Sequence, residues 1–362
     1  MITPRPPEEF DRKHWITAAW SLGARGQGIH VAVLDEALDP EDPHLAGSVE
    51  EVIDFQDGAR PTPDSHGTNV ARLIRMWAPE CRITGISIFP GNASMPTAGY
   101  NRSVRDAATK AVRFCLEQRP AIRIINMSFD VPRGRFLGFG GCSPARRCRL
   151  CTAVNDAKAR GVLPVAAAGN RGPREDTSEC PACAEGAMTV GALLSRAEQQ
   201  AYEQAKGPAR RNFGTSWSAA YVSGAMAALM SAGPGCSLAE VQDAYIAGCS
   251  TIAGGTTLGR VNLVVALSHL VGMEQASVDV CLERVAAATA SDWPATLAGK
   301  GRVHDAILML LVHIQRAPLR LGELGLAAEL MARLDKLVPW VEVHAGLARR
   351  AEAIRGQLRP DQ

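Results

Sequence analysis

A chain of 362 residues is long enough for a large core and a second, smaller domain. Its formal net charge of +2 gives no reason to expect a polyanionic partner, so nucleic acid is set aside. Aromatic residues are few at 5%, while the 34 glycines suit an α/β enzyme with many tight loops.

The opening residues hold no apolar signal-peptide core. The longest uncharged stretch, 212–239, is full of Gly, Ser and Ala and reads as a buried helix with its flanks, not a membrane span. The expectation is a soluble, cytoplasmic protein.

In chain order, Ile29-His30-Val31-Ala32-Val33-Leu34 predicts a buried strand ending on Asp35. A carboxylate at the C-terminal end of such a strand stands where α/β sheets place their sites, although strand-ending turns also favour Asp. His66 opens a helical pattern over 67–76, with Val70, Ala71, Leu73 and Ile74 apolar. A helix start disfavours the charged imidazolium, which suits a neutral base. Further strand-like runs at 83–88, 122–128, 162–168 and 187–192 alternate with helical patterns at 102–117, 152–160 and 216–231. That alternation predicts a parallel sheet with helices on both faces. The run Val165-Ala166-Ala167-Ala168 ends in Gly169-Asn170, whose amide can donate to an oxyanion. Gly214-Thr215-Ser216 leads into the helix from Trp217 to Met230. Ser216 then sits at a helix N-terminus, where free N–H groups favour developing negative charge. Ser237 caps a helix to about Ala247, with Glu240 completing a capping box.

Asp35, His66 and Ser216 follow the chain order of one known hydrolase triad. With Asn170 they make four boxes in one order, and over about Trp15 to Leu270 the chain resembles the subtilisin-like serine peptidases, the subtilases. The resemblance implies that Ser216 is the nucleophile, His66 the general base and Asp35 the carboxylate orienting it. Asn170 and the Ser216 N–H then form the oxyanion hole. The run Ile124 to Ser128 is similar to the family's substrate edge, and Gly259-Arg260-Val261-Asn262 to its closing segment. Ser128, Asp130 and Gly169 are the expected substrate-binding residues.

Several positions depart from the family pattern: Glu36-Ala37 for a small pair, Asn69 for His, Arg72 for Gly and Ala220 for Pro. Asp130 stands where the substrate edge usually has Gly; its charge favours a basic or polar peptide, or it points to solvent and reshapes the loop. Asp35 lies too near the start for the family's folded propeptide, which implies an enzyme working inside the cell. Control then falls to the short tail with Pro4, Pro6 and Pro7, to another domain, or to selectivity. Calcium is frequent in the family, but no calcium loop is matched here.

Ten cysteines include two C-x-x-C pairs, Cys148/Cys151 and Cys180/Cys183. Two such knuckles suit a four-thiolate zinc site. Two disulfides, a redox switch or unlinked thiols are the alternatives, and Cys142 is a spare ligand. By resemblance, the pairs flank the strand ending at Asn170 and meet beside the specificity pocket. Arg133, Arg135, Arg146, Arg147 and Arg149 stand in an acid-free segment, which suits an anionic zinc–thiolate centre or a solvated basic loop.

The expected domains are a tail at 1–14, a subtilisin-like peptidase domain at 15–271 and a small all-α bundle at 274–362. The bundle's candidate helices are 277–290, 303–316, 321–336 and 339–357, serving as a packing appendage or as a module that recruits a protein partner. The expected function is a selective cytosolic serine endopeptidase acting on a protein or peptide. A maturation peptidase for one precursor and an inactive peptide-binding pseudopeptidase are the alternatives.

Overall fold

The computed structural model describes residues 16–21, 23–58, 60–91, 97–131, 148–170, 179–192, 214–251 and 258–271, and ahead of them Pro6, Pro7, Phe10 and His14. The chain divides into two compact units, Met1–Arg5 with Gly26–Ala227, and Pro6–Arg25 with Ala228–Gln362. The expected helical bundle at 274–362, Cys142 and the arginines from Arg133 to Arg147 lie outside the described residues.

The first unit is built on six parallel strands: β1 His30–Asp35, β2 Val49–Asp54, β3 Arg82–Ser87, β4 Ile122–Met127, β5 Leu163–Ala167 and β6 Met188–Val190. Their order across the sheet is β2-β3-β1-β4-β5-β6. The chain winds outward from β1 to one edge, then returns to β1's other side and winds outward again through β4, β5 and β6. The boundary between β1 and β4 is therefore the topological switch point, where the strand ends open a crevice. Leu34 is in register with Met127, and Met127 with Ala166. Asp35, Ser128 and Gly169-Asn170 consequently leave the sheet at one edge of that crevice.

β1, β4 and β5 are mostly apolar because both faces of a central parallel strand are covered, with Arg123 exposed at the start of β4. On one face Ala32, Leu34, Ile125 and Met127 join a core cluster with Val104, Ala108 and Val112 of helix α3 (Thr97–Gln118) and Leu150, Ala153 and Val154 of α4 (Arg149–Ala159). Helix α2 (His66–Trp77) packs on β1. Helix α5 (Thr215–Ala232) meets β4 through a hydrogen bond from Asn126 Nδ2 to Ser223 Oγ at 2.9 Å. Helices α2 and α5 approach closely, for a methyl group at Gly224 would lie 2.6 Å from Trp77 Cβ.

β2 is absent from the sequence expectation, and the reason is physical. It pairs with β3 alone, its residues alternate between half-buried and exposed, and its central Glu50-Glu51 breaks the apolar pattern. Those carboxylates ion-pair with Arg82 and Arg119.

The second unit holds α1 (Ile16–Ser21), α6 (Leu238–Gly248), the antiparallel pair β7 (Cys249–Thr251) and β8 (Leu258–Val261), and α7 (Leu263–Val271). α6 carries the expected capping box: Glu240 N donates to Ser237 Oγ at 3.3 Å, and Ser237 N to Glu240 Oε2 at 2.7 Å. No helix among the described residues is long and apolar enough to cross a membrane.

Candidate active site

Asp35 is the last residue of β1 and fully buried. His66 is the first residue of α2, behind the N-cap Ser65, whose Oγ accepts from Thr68 N at 3.1 Å and donates to Ala37 O at 2.7 Å. The cap thus ties the helix start to the segment leaving β1. Gly67 allows the approach: a Cβ there would lie 2.2 Å from Glu36 O and 3.3 Å from Asp35 Cβ. Glu36 adds a hold that the sequence reading missed, its Oε2 accepting the His66 backbone N–H at 2.9 Å. A carboxylate at a helix N-terminus also suits the dipole. The signal was visible as the departure at Glu36, but nothing in the sequence said where its side chain went.

Asp35 Oδ1 accepts from His66 Nδ1 at 2.8 Å and from Glu36 N at 2.7 Å. A proton on Nδ1, shared with a carboxylate, leaves Nε2 as the basic nitrogen. Burial lifts the Asp35 carboxyl above its ordinary value, and the His66 contact opposes the rise. Among the described residues Asp35 Oδ2 is buried without a hydrogen-bond partner.

Ser216 lies in the first turn of α5. Its Oγ donates to Ser128 O at 2.9 Å, and Ser128 Oγ donates to Ser216 O at 2.8 Å, so the helix start is stitched to the edge that leaves β4. The next residue, Trp217, holds its ring 5.0 Å from the His66 imidazole. Asn170 follows Gly169, whose φ of +102° only glycine tolerates readily. Asn170 Oδ1 accepts from Thr215 N at 2.9 Å and Thr215 Oγ1 at 3.3 Å, which turns the donor end of the amide away from those contacts. The structure thus brings Asp35, His66, Ser216, Ser128, Gly169 and Asn170 to one crevice. Asp130 is half-buried at the end of the Ser128 edge.

Asn69 and Arg72, two of the departures, line a groove of about 390 Å³ with Leu73, Trp217 and Tyr221. Arg72 also donates from Nε to the buried Asp42 Oδ2 at 3.1 Å and from Nη1 to Asn69 Oδ1 at 3.0 Å. Sequence reasoning found no role for Arg72, because its partner is 30 residues away.

The second cluster is the four cysteines. Cys148 Sγ lies 3.7 Å from Cys180 Sγ, Cys151 Sγ 3.6 Å from Cys180 Sγ, and Cys151 Sγ 3.6 Å from Cys183 Sγ. None of the four is joined in a disulfide. A disulfide joins sulfurs in exclusive pairs, yet here Cys180 and Cys151 each have two neighbours at equal range. A tetrahedral ion with Zn–S bonds near 2.3 Å spaces its sulfurs about 3.8 Å apart. Cys148 is the N-cap of α4 and Cys151 is in its first turn, where the helix dipole stabilises thiolates. Three of these sulfurs have the spacing of a shared thiolate-bound ion, and Cys183 adjoins them at Cys151. Among the described residues, the sulfurs of Cys148, Cys151 and Cys180 are the ligand atoms grouped closely enough to share an ion.

The sequence profile of Peptidase_S8, described as Subtilase family, matches residues 26–212. The chain is 30% identical over 211 residues to a subtilisin of Bacillus sp. (strain TA39), covering 53% of this chain and 45% of that one. It is 28% identical over 200 residues to the major intracellular serine protease of Bacillus subtilis (strain 168), covering 51% and 57%. The matched region thus spans about half the length of these curated relatives. Among solved structures, the prenylagaramide maturation protease PagA superposes with a TM-score of 0.50 at 22% identity, over 70% of this chain and 98% of that one. That last likeness concerns the fold.

Proposed function

The chain belongs to the subtilase family, and from that premise we propose that it is a serine endopeptidase working through an acyl-enzyme. The observation that carries the reading is the 2.8 Å contact between His66 Nδ1 and the buried Asp35, with Ser216 at the adjacent helix start. In the proposed reaction the Ser216 hydroxyl turns from Ser128 O toward His66 Nε2 and gives up its proton there as Oγ adds to the peptide carbonyl. The Asn170 amide and the Ser216 N–H take the charge that develops on the carbonyl oxygen. The imidazolium returns the proton to the leaving amine, and water, deprotonated by the same nitrogen, releases the acid product.

The proposed substrate is an extended segment of a protein or peptide that adds as a strand along Ser128 to Asp130, with Asp130 favouring basic or polar residues. We place the enzyme in the cytoplasm as a selective regulatory peptidase recruited through 274–362. Relatives described as intracellular support this location. A structural zinc ion on Cys148, Cys151, Cys180 and Cys183 completes the proposal; metal analysis of the purified protein should give one zinc per chain, and well under one removes it.

The test of function compares the new protein termini produced by wild type and by Ser216→Ala in a proteome. Discrete cleavage sites seen with the wild type alone support the peptidase. Identical termini in both samples, with peptides retained on the protein, favour a binder that does not cut.

A further inference from the structure

The turn that carries the second cysteine pair abuts the ends of both site strands. Val131 N donates to Cys180 O at 2.8 Å, forming an isolated antiparallel bridge just beyond the Ser128–Asp130 edge. Phe129 and Val131 are buried in the same core cluster as Cys180, so alternate residues of the edge are anchored beside the sulfurs. Ser128, directly ahead of Phe129, is the residue whose carbonyl holds Ser216 Oγ. On the other side, a Cβ at Gly169 would stand 3.8 Å from Glu179 Cγ, the residue before Cys180. Gly169 in turn precedes Asn170 at the end of β5.

The turn is held at several points, with Cys180, Ala182 and Ala184 buried in the core cluster. Cys183 N donates to Glu179 O at 3.0 Å and Ala184 N to Pro181 O at 2.9 Å, both inside the turn. Thr189 Oγ1 donates to Ala182 O at 2.6 Å, tying it to β6. Gly186 N donates to Asn155 Oδ1 of α4 at 2.8 Å, and at its Cys180 end the turn meets the N-terminus of α4 sulfur to sulfur. Bare thiols at these spacings exchange only weak contacts, whereas a shared divalent ion joins the turn to a rigid helix.

We propose that metal on the four thiolates is a clamp for substrate binding: it fixes the Val131–Cys180 bridge, and through it the edge that an extended peptide must pair with. The ion takes no part in the chemistry. Loss of metal by chelation therefore loosens the edge and the Asn170 corner while the Asp35–His66 pair, on β1 and α2, stays assembled. The inference rests on the zinc and peptidase readings and goes beyond both by coupling them.

The experiment compares zinc-loaded protein with protein stripped by chelator under reducing conditions, and with Cys183→Ser and Cys183→His. Cobalt(II) substitution reports the site directly, through sulfur-to-cobalt charge-transfer absorption. Hydrogen exchange reports the Val131 amide. Activity is read as kcat/KM on a tetrapeptide amide and on a single-residue ester that does not reach the edge. The clamp predicts cobalt absorption in the loaded wild type and weaker Val131 protection after stripping. It also predicts a drop of about tenfold on the tetrapeptide with less than about twofold on the ester, as expected for lost edge hydrogen bonds. Cys183→His, which keeps four metal ligands, should stay near wild type, and Cys183→Ser should follow the stripped protein. Stoichiometric metal with unchanged Val131 exchange and an unchanged peptide-to-ester ratio on stripping overturns the clamp and leaves the zinc reading standing. Absent cobalt absorption overturns both. If the loaded protein cleaves neither substrate, the peptidase reading falls and the Val131 exchange alone decides.

Discussion

Replacing Arg72 by Met should destabilise the fold by an amount the structure sets. Asp42 is buried to 1% side-chain exposure and Arg72 to 28%. The guanidinium binds Asp42 Oδ2 through Nε and Nη2, and Asp42 Oδ1 accepts from His44 N at 2.9 Å. Breaking a buried pair by removing one partner costs about 3–5 kcal/mol, because a desolvated charge is left behind. Here Asp42 keeps the His44 N–H and Arg72 is partly exposed, so the lower figure applies, about 3 kcal/mol. That corresponds to a fall of about 6–12 °C in melting temperature for a unit of this size. Burial pushes the Asp42 carboxyl up, but the Arg72 and His44 hydrogen bonds win and hold it below its ordinary value of 3.8. Stability from the pair is therefore fully present above that value and lost as pH falls through the lower folded value. Thermal melts of wild type and Arg72→Met from pH 7 to pH 3 should show a gap that narrows toward acid. The double variant Asp42→Asn/Arg72→Met should recover much of the loss. A gap below about 1 kcal/mol at pH 7, or one that does not shrink in acid, would refute the reasoning.

Asp35→Asn should lower kcat by about 10⁴, the scale seen when a triad carboxylate is neutralised. Because burial raises the Asp35 carboxyl's pKa, ionising it costs folding stability as pH rises above the ordinary value of 3.8; the same variant should melt at or above wild type at pH 7, and a clear drop there would count against the buried, half-satisfied carboxylate. Gly67→Ala should destabilise by about 1–3 kcal/mol and cut activity, since its methyl collides with Glu36 O; unchanged kinetics in that variant would mean the Asp35–His66 approach is looser than described. Asn170→Ala should reduce kcat by about 10²–10³ with KM little changed, and a change confined to KM would move Asn170 from the oxyanion to substrate binding.

The long elements of the first unit were legible because their patterns are local. β1, β4 and β5 are short runs rich in apolar residues, and α3 repeats Val104, Ala108, Val112 and Cys115 at helical spacing. Ser237 and Glu240 announce the start of α6, the partner standing three positions after the cap. β2 was not legible, since an edge strand needs only one covered face and its Glu50-Glu51 looks like a loop. The residues proposed as the triad were legible because each sits in its own short box at an element end. Its supports were not: Glu36 on the His66 N–H, Arg72 on Asp42 and Val131 on Cys180 all join segments far apart in sequence. The cysteine spacing suggested a metal, but it did not say that Cys151 and Cys180 would each lie beside two other sulfurs.

The central claim is that Ser216 is a nucleophile activated by His66. A fluorophosphonate probe followed by mass spectrometry tests it most directly. The account predicts one adduct per chain, on Ser216, absent in Ser216→Ala and formed about a thousandfold more slowly in His66→Ala. A folded wild type that takes no adduct, or an adduct that survives Ser216→Ala, would contradict it.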